Sequence, residues 1–205
     1  MSLASLLLPV QCPRCGRSGT APCLQCVDAA TVAPVLSCPF GVDDCRAAFL
    51  YDGVGRSFIA PLKYGGNRTL VPWLVQCLAA LTAEVSAVAR PPFDVITWVP
   101  ATNPNRRRRG FDQGQLLARG LAIDRGLPLK RLLRRGDPIS QTGRSRGERL
   151  AGPELVAAGL ITGHVLIVDD VITTGASMSS AAQVLRRAGA DRITAIAAAY
   201  TPTGR

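Results

Sequence analysis

Thirteen consecutive residues, Val165 to Ser177, restrict the fold more than any other part of the chain. Val165-Leu166-Ile167-Val168 is an unbroken apolar run, the pattern of a strand buried on both faces, and such strands belong to parallel sheets covered by helices. Two carboxylates, Asp169 and Asp170, follow at the carboxyl end of the run. Thr173-Thr174-Gly175-Ala176-Ser177 then reads as a tight loop that opens a helix. A strand feeding a helix in this way implies an α/β domain, and open α/β sheets take their ligands at the carboxyl ends of the strands.

The flanking sequence repeats the alternation. Ala47 to Tyr51 reads as a strand. Arg68 to Ala89 carries apolar residues at helical spacing, with Pro72 tolerable only in the first turn. Asp94 to Val99 reads as a strand, Phe111 to Arg125 as a helix after Gly110, Leu127 to Leu133 as a candidate strand, Ser177 to Ala188 as a helix closed by Gly189, and Arg192 to Ala199 as a strand. Asp137 to Pro153 is polar and rich in Gly and Arg, the composition of a mobile loop. Residues 1–46 differ: they hold six of the seven cysteines and no sustained period. The chain therefore divides into a small cysteine-rich module, 1–46, and one α/β domain, 47–205.

The chemistry of the 13-residue segment follows from its residue types. The backbone N–H groups of the loop, the positive end of the helix dipole and the hydroxyls of Thr173, Thr174 and Ser177 can surround a phosphate. Gly175 removes a Cβ from the path of close approach. Adjacent carboxylates suit a neighbouring ribose instead, because they accept hydrogen bonds from vicinal hydroxyls.

At every position this segment resembles the binding motif for 5-phosphoribosyl-1-pyrophosphate (PRPP) of type I phosphoribosyltransferases. The resemblance widens to the competence-associated ComF family through a cysteine ribbon, Leu62-Lys63-Tyr64-Gly65-Gly66, Val99-Pro100, Arg109-Gly110-Phe111-Asp112-Gln113 and the Gln141 to Arg149 loop. The family usually has Asn in place of Asp112 and of Gly152. The resemblance implies that Asp169 and Asp170 hold the ribose hydroxyls and that Thr173, Thr174, Gly175, Ala176 and Ser177 hold the 5′-phosphate. It places the pyrophosphate against the Ala101 to Gly110 loop, with Arg109 and Lys63 as cations and magnesium (Mg2+) carried mainly by PRPP itself. Asp137 to Pro153, with Arg144, Arg146 and Arg149, is then either a closing lid or a passive surface loop. Thr173 stands where purine-salvage members carry an Asp, which argues against that acceptor class. His164 reads as a turn or edge residue.

Charge and cysteines bound the partners. Of the formal +10, a net +9 lies between Pro100 and Leu150, with 13 Lys or Arg against 4 Asp or Glu. That concentration suits anionic groups, either a small-molecule pyrophosphate or a nucleic-acid backbone. Aromatic residues make up 5% of the chain, which argues against an extensive base-stacking surface. Cys12-x2-Cys15 and Cys23-x2-Cys26 have the spacing of a structural zinc (Zn2+) site, with disulfides as the competing assignment. The opening Leu3 to Val10 has neither basic flank nor cleavage pattern, so a cytoplasmic, reducing compartment and no membrane insertion are expected, favouring zinc. Cys38 and Cys45 resemble the remains of a second ribbon, and Cys77 reads as a core residue. Two functions stay open: a phosphoribosyltransferase with an unidentified acceptor, or a non-catalytic PRPP-fold protein serving single-stranded DNA uptake or recombination alongside competence or recombination proteins.

Overall fold

The computed structural model describes residues 10–88, 93–102, 107, 110–136 and 155–202. Four strands form one parallel sheet: β1 (Asp44–Leu50), β2 (Val95–Trp98), β5 (His164–Ile172) and β6 (Arg192–Tyr200), in the order β1-β6-β5-β2. The long apolar strands take the centre, where nearly every residue of β5 and β6 is buried. β3 (Leu133–Arg135) and β4 (Leu155–Ala157) form a separate antiparallel pair.

Alternation along β5 divides the core into two layers. Leu166 and Val168 enter the cluster that holds Phe49, Phe58, Leu74, Leu78, Trp98, Leu117 and Leu121. Val165 and Ile167 enter the opposite cluster, with Met178, Ala181, Leu185, Leu133 and Leu155. The first layer is built by α2 (Gly53–Tyr64), α3 (Val71–Val88) and α4 (Gln113–Arg125), the second by α5 (Ala176–Arg187). Full burial of one such Leu or Ile contributes about 1.5–3 kcal/mol, so the two layers together hold the sheet.

The structure adds α2, which the sequence reading does not anticipate. Asp52 caps it, its carboxylate accepting from the Val54 and Gly55 amides at 3.2 Å each. Gly55 is required there, because a Cβ would run into the Leu50 carbonyl where the helix folds back on β1. Phe58, Ile59 and Leu62 form its buried face, and the Pro61 carbonyl accepts from Gly65 and Asn67 as the chain leaves. The expected strand over Leu127 to Leu133 reduces to one parallel bridge, Ile96 to Leu129, before β3 begins. His164 is not a turn or edge residue. It opens β5 fully buried, its Nε2 2.9 Å from Thr194 Oγ1 and its ring 4.6 Å from that of Phe93.

Upstream of β1, α1 (Leu24–Asp28) and the turns around Cys12 pack on the first layer through Cys12, Cys23 and Cys26. Cys45 lies buried on β1 and Cys38 is exposed; neither belongs to the four-cysteine group. Cys77 is half-buried on α3, short of the core position expected. Among the described residues no helix is long and apolar enough to cross a membrane.

Candidate functional site

The carboxyl ends of β2 and β5 open into a cleft of about 270 Å³. Asp169 and Asp170 come from β5, which runs two residues beyond them, so the acidic pair lies within the strand rather than after it. Lys63 arrives from the last turn of α2, Ser177 from the first turn of α5, Asp112 and Gln113 from the start of α4, and Arg135 from the end of β3.

Lys63 Nζ stands 3.3 Å from Asp170 Oδ1, with both side chains largely buried, and 5.4 Å from the centre of the Tyr51 ring. Asp169 Oδ1 accepts from the Asp170 amide at 2.8 Å. Burial, and then the neighbouring Asp170 charge, push the Asp169 carboxyl well above its ordinary range; Lys63 only partly offsets them. The two carboxylates are therefore unequal: one is matched by a cation, the other resists ionisation.

The loop enters α5 through Gly175 in the left-handed region, φ 75°, with no side-chain cap on the helix. Thr173 and Thr174 are exposed and Ser177 is half-buried. Thr174 Oγ1 accepts weakly from Ala176 at 3.4 Å. The sequence reading assigns the missing Cβ of Gly175 to ligand approach. In the structure that Cβ would lie 2.9 Å from Pro39 Cγ, so the glycine also seats the segment that precedes β1.

Of the predicted site residues, Lys63, Asp169, Asp170 and Ser177 line one cleft. Thr173 to Ala176 continue the same strand-to-helix turn. Arg109 and Arg149 lie outside the described residues, as do Arg106, Arg108, Arg144, Arg146 and the 137–153 segment; Arg107 is exposed. Arg135 carries no distinguishing signal in the sequence. Five other arginines lie between Arg119 and Arg149, and nothing local distinguishes Arg135 until the fold sets it beside the cleft.

Upstream of β1, the ligand atoms of Cys12, Cys15, Cys23 and Cys26 all lie within 4.8 Å of one another, and Cys15 and Cys23 sulfurs are 3.6 Å apart. A zinc tetrahedron with Zn–S bonds of about 2.3 Å has edges of about 3.8 Å, so the donor set fits that ion. Burial disfavours the Cys12 thiolate, but the Cys23, Cys15 and Arg14 amides outweigh it and bring the thiol to about 6. Burial and the neighbouring thiols of Cys23, Cys15 and Cys12 push Cys26 up to about 12. Full ionisation of this group needs a cation among the sulfurs.

Residues 108–205 match the phosphoribosyl transferase domain. Competence protein ComFC of Streptococcus pneumoniae is 29% identical over 150 residues, covering 71% of this chain and 63% of that protein, so the match spans less than two thirds of that relative. DNA utilization protein YhgH of Salmonella typhimurium is 30% identical over 189 residues, covering 87% of this chain and 79% of the relative. Among solved structures, a purine phosphoribosyltransferase from Pyrococcus horikoshii is 20% identical, with a TM-score of 0.39 over 63% of this chain and 81% of that one.

Proposed function

The chain belongs to the ComF family and carries a phosphoribosyl transferase domain, and from that premise we propose that it binds PRPP and transfers its 5-phosphoribosyl group to an acceptor, releasing pyrophosphate. The observation that carries this reading is the meeting of Lys63, Asp169, Asp170 and Ser177 in one cleft beside an uncapped helix N-terminus. The turn from Thr173 to Ser177, with Thr174, Gly175 and Ala176 between them, receives the 5′-phosphate on its amides and hydroxyls. Asp169 and Asp170 accept from the ribose hydroxyls. Lys63 pairs with Asp170, and with Arg109 and Arg149 it supplies positive charge toward the pyrophosphate.

Loss of pyrophosphate from the anomeric carbon develops positive charge on the sugar, and the protein's share of the work is to orient the ring and exclude water. Among the described residues the cysteine group is the one cluster of three or more possible metal ligands. A magnesium ion would be held chiefly by PRPP oxygens and water, and when bound it neutralises part of the pyrophosphate charge. Cys12, Cys15, Cys23 and Cys26 hold structural zinc. We place the protein in the cytoplasm. The names of the relatives, competence protein and DNA utilization protein, support a role in handling incoming DNA, with single-stranded DNA or competence and recombination proteins as partners.

Calorimetric titration with PRPP, with and without magnesium, tests the reading. Joint replacement of Asp169→Asn and Asp170→Asn should weaken binding by about 100-fold, the loss of two charge-assisted hydrogen bonds of roughly 1.5 kcal/mol each. Unchanged affinity in that double variant would sink the assignment.

A further inference from the structure

One peptide bond in the cleft is gripped from both of its polar ends. The Pro100 carbonyl accepts from Arg135 Nε at 2.9 Å, and the amide on the other side of the same bond, Ala101 N–H, donates to Asp112 Oδ2 at 2.8 Å. The two side chains come from different elements, the end of β3 and the cap of α4. Asp112 is buried, and its second oxygen, Oδ1, accepts from the Gln115 amide at 3.2 Å to close the helix. A single carboxylate thus serves two donors. An asparagine has one acceptor oxygen, and seating it here would turn its NH2 group against an N–H.

Arg135 is half-buried beside the same cleft. Burial works against its charge, while the carboxylates of Asp112 and Asp169 work for it. Pro100, Ala101, Asp112 and Arg135 line the cleft together with Lys63 and Asp169. The gripped bond therefore lines the same cleft as Ser177, at the point where the chain leaves β2.

We infer that Asp112 and Arg135 clamp the Pro100–Ala101 peptide and act as positioning residues for the pyrophosphate side of the cleft, fixing where Ala101 and Thr102 meet that anion. The inference deepens the PRPP reading and rests on it. The clamp has no part in holding the ribose or the 5′-phosphate, which fall to the acidic pair and the Thr173 to Ser177 turn. Its loss should consequently separate ligands that carry pyrophosphate from one that does not.

The experiment uses the full chain and the variants Asp112→Asn, Arg135→Gln and Arg135→Lys. Asparagine remains a good helix cap and lysine retains a charged donor, so these variants keep the fold. Calorimetry compares PRPP, inorganic pyrophosphate and ribose 5-phosphate, each with magnesium, while amide hydrogen exchange follows Ala101 in the unliganded chain. PRPP and pyrophosphate should bind about tenfold more weakly to Asp112→Asn and Arg135→Gln, corresponding to one lost hydrogen bond, with Arg135→Lys restoring part of the loss and ribose 5-phosphate within about twofold of wild type. Ala101 exchange should speed up about tenfold in Asp112→Asn. Equal weakening of all three ligands, or no weakening, overturns the positioning role. Unaltered Ala101 exchange overturns the clamp itself, whatever the ligands do. Failure of the wild-type chain to bind PRPP or ribose 5-phosphate would instead remove the function proposed above, and the clamp's purpose with it, while the Ala101 measurement still decides whether the grip exists.

Discussion

The cysteine cluster and the acidic cleft both gather groups that repel one another when ionised, and they are balanced by opposite means. At Cys12, Cys15, Cys23 and Cys26 every converging group is a thiol, drawn from a turn and the start of α1 within 15 residues of sequence. In the cleft, Asp112, Asp169 and Asp170 are met by Lys63 and Arg135, cations brought from distant parts of the chain. The first arrangement needs a cation from outside in order to exist fully ionised. The second carries its own, and so can stand open to an incoming ligand. The protein thus separates a cluster whose full ionisation needs an outside cation from a cleft that brings its own cations.

The largest expected effect breaks this comparison on the cysteine side. Cys23→Ser should abolish the single bound zinc per chain and unfold the turns around Cys12, since binding and folding are one process in such sites. Because Cys12, Cys23 and Cys26 belong to the first core layer, the damage should reach the sheet. A fall in melting temperature of about 10 °C or more is expected, equivalent to roughly 3 kcal/mol in a domain of this size. Elemental analysis together with thermal melting checks it. A purified, folded wild-type chain without metal would show that the thiols, like the carboxylates, manage alone.

A smaller effect sharpens the cleft side. If Lys63 is the internal cation for Asp170, Lys63→Met keeps an unbranched side chain but removes the ammonium from the largely buried Asp170 and from over the Tyr51 ring. Removing one partner of such a pair costs about 2 kcal/mol where some solvent still reaches it. Lys63→Arg should recover most of that. Chemical denaturation at neutral pH reads both. Equal stability in Lys63→Met and wild type would mean that solvent, rather than Lys63, balances Asp170.

The same contrast explains what could be seen in the sequence. Two CxxC pairs, and an apolar run followed by Asp169-Asp170 and a Thr-Thr-Gly turn, are local patterns whose spacing already fixes their geometry. The central strands β5 and β6 and the helix between them were legible for that reason. Helix α2 was not, because Gly53, Gly55 and Pro61 are weak helix formers, and tertiary packing of Phe58, Ile59 and Leu62 overrides that weakness. Lys63 was visible as part of a resemblance, but its pairing with Asp170 depends on where α2 ends. Asp112 stood out only as a departure from the family's usual Asn; that it joins α4 to the Pro100–Ala101 peptide, opposite Arg135, follows from topology. The 127–133 segment failed as a strand since Pro128 lacks a ladder donor and only Leu129 bridges to β2.

The smallest effect concerns Asp169, the carboxylate whose burial outweighs the nearby Lys63 charge. Its folded-state carboxyl lies well above the ordinary value, first through burial and then through the Asp170 charge. In the unfolded chain it titrates near 3.9, so above that pH the folded state holds a proton that the unfolded state has released. Stability must then fall as pH rises from about 3.9 through the raised folded value, and the deficit is complete above it. Asp169→Asn removes this one titration. The variant should melt roughly 3 °C higher than wild type at pH 7 and show no such advantage near pH 4, an effect on the order of 1 kcal/mol. Melting both proteins without ligand across that range cancels the titration of groups remote from the pair, leaving in the difference Asp169 and its coupling to Asp170. Parallel profiles would mean that Asp169 ionises as freely folded as unfolded, and the cleft would then be as evenly balanced as its two cations suggest. A gap that opens with pH means that the chain tolerates an unfavourable charge at Asp169, and the PRPP affinity of the same variant tells whether ligand binding is what that charge serves.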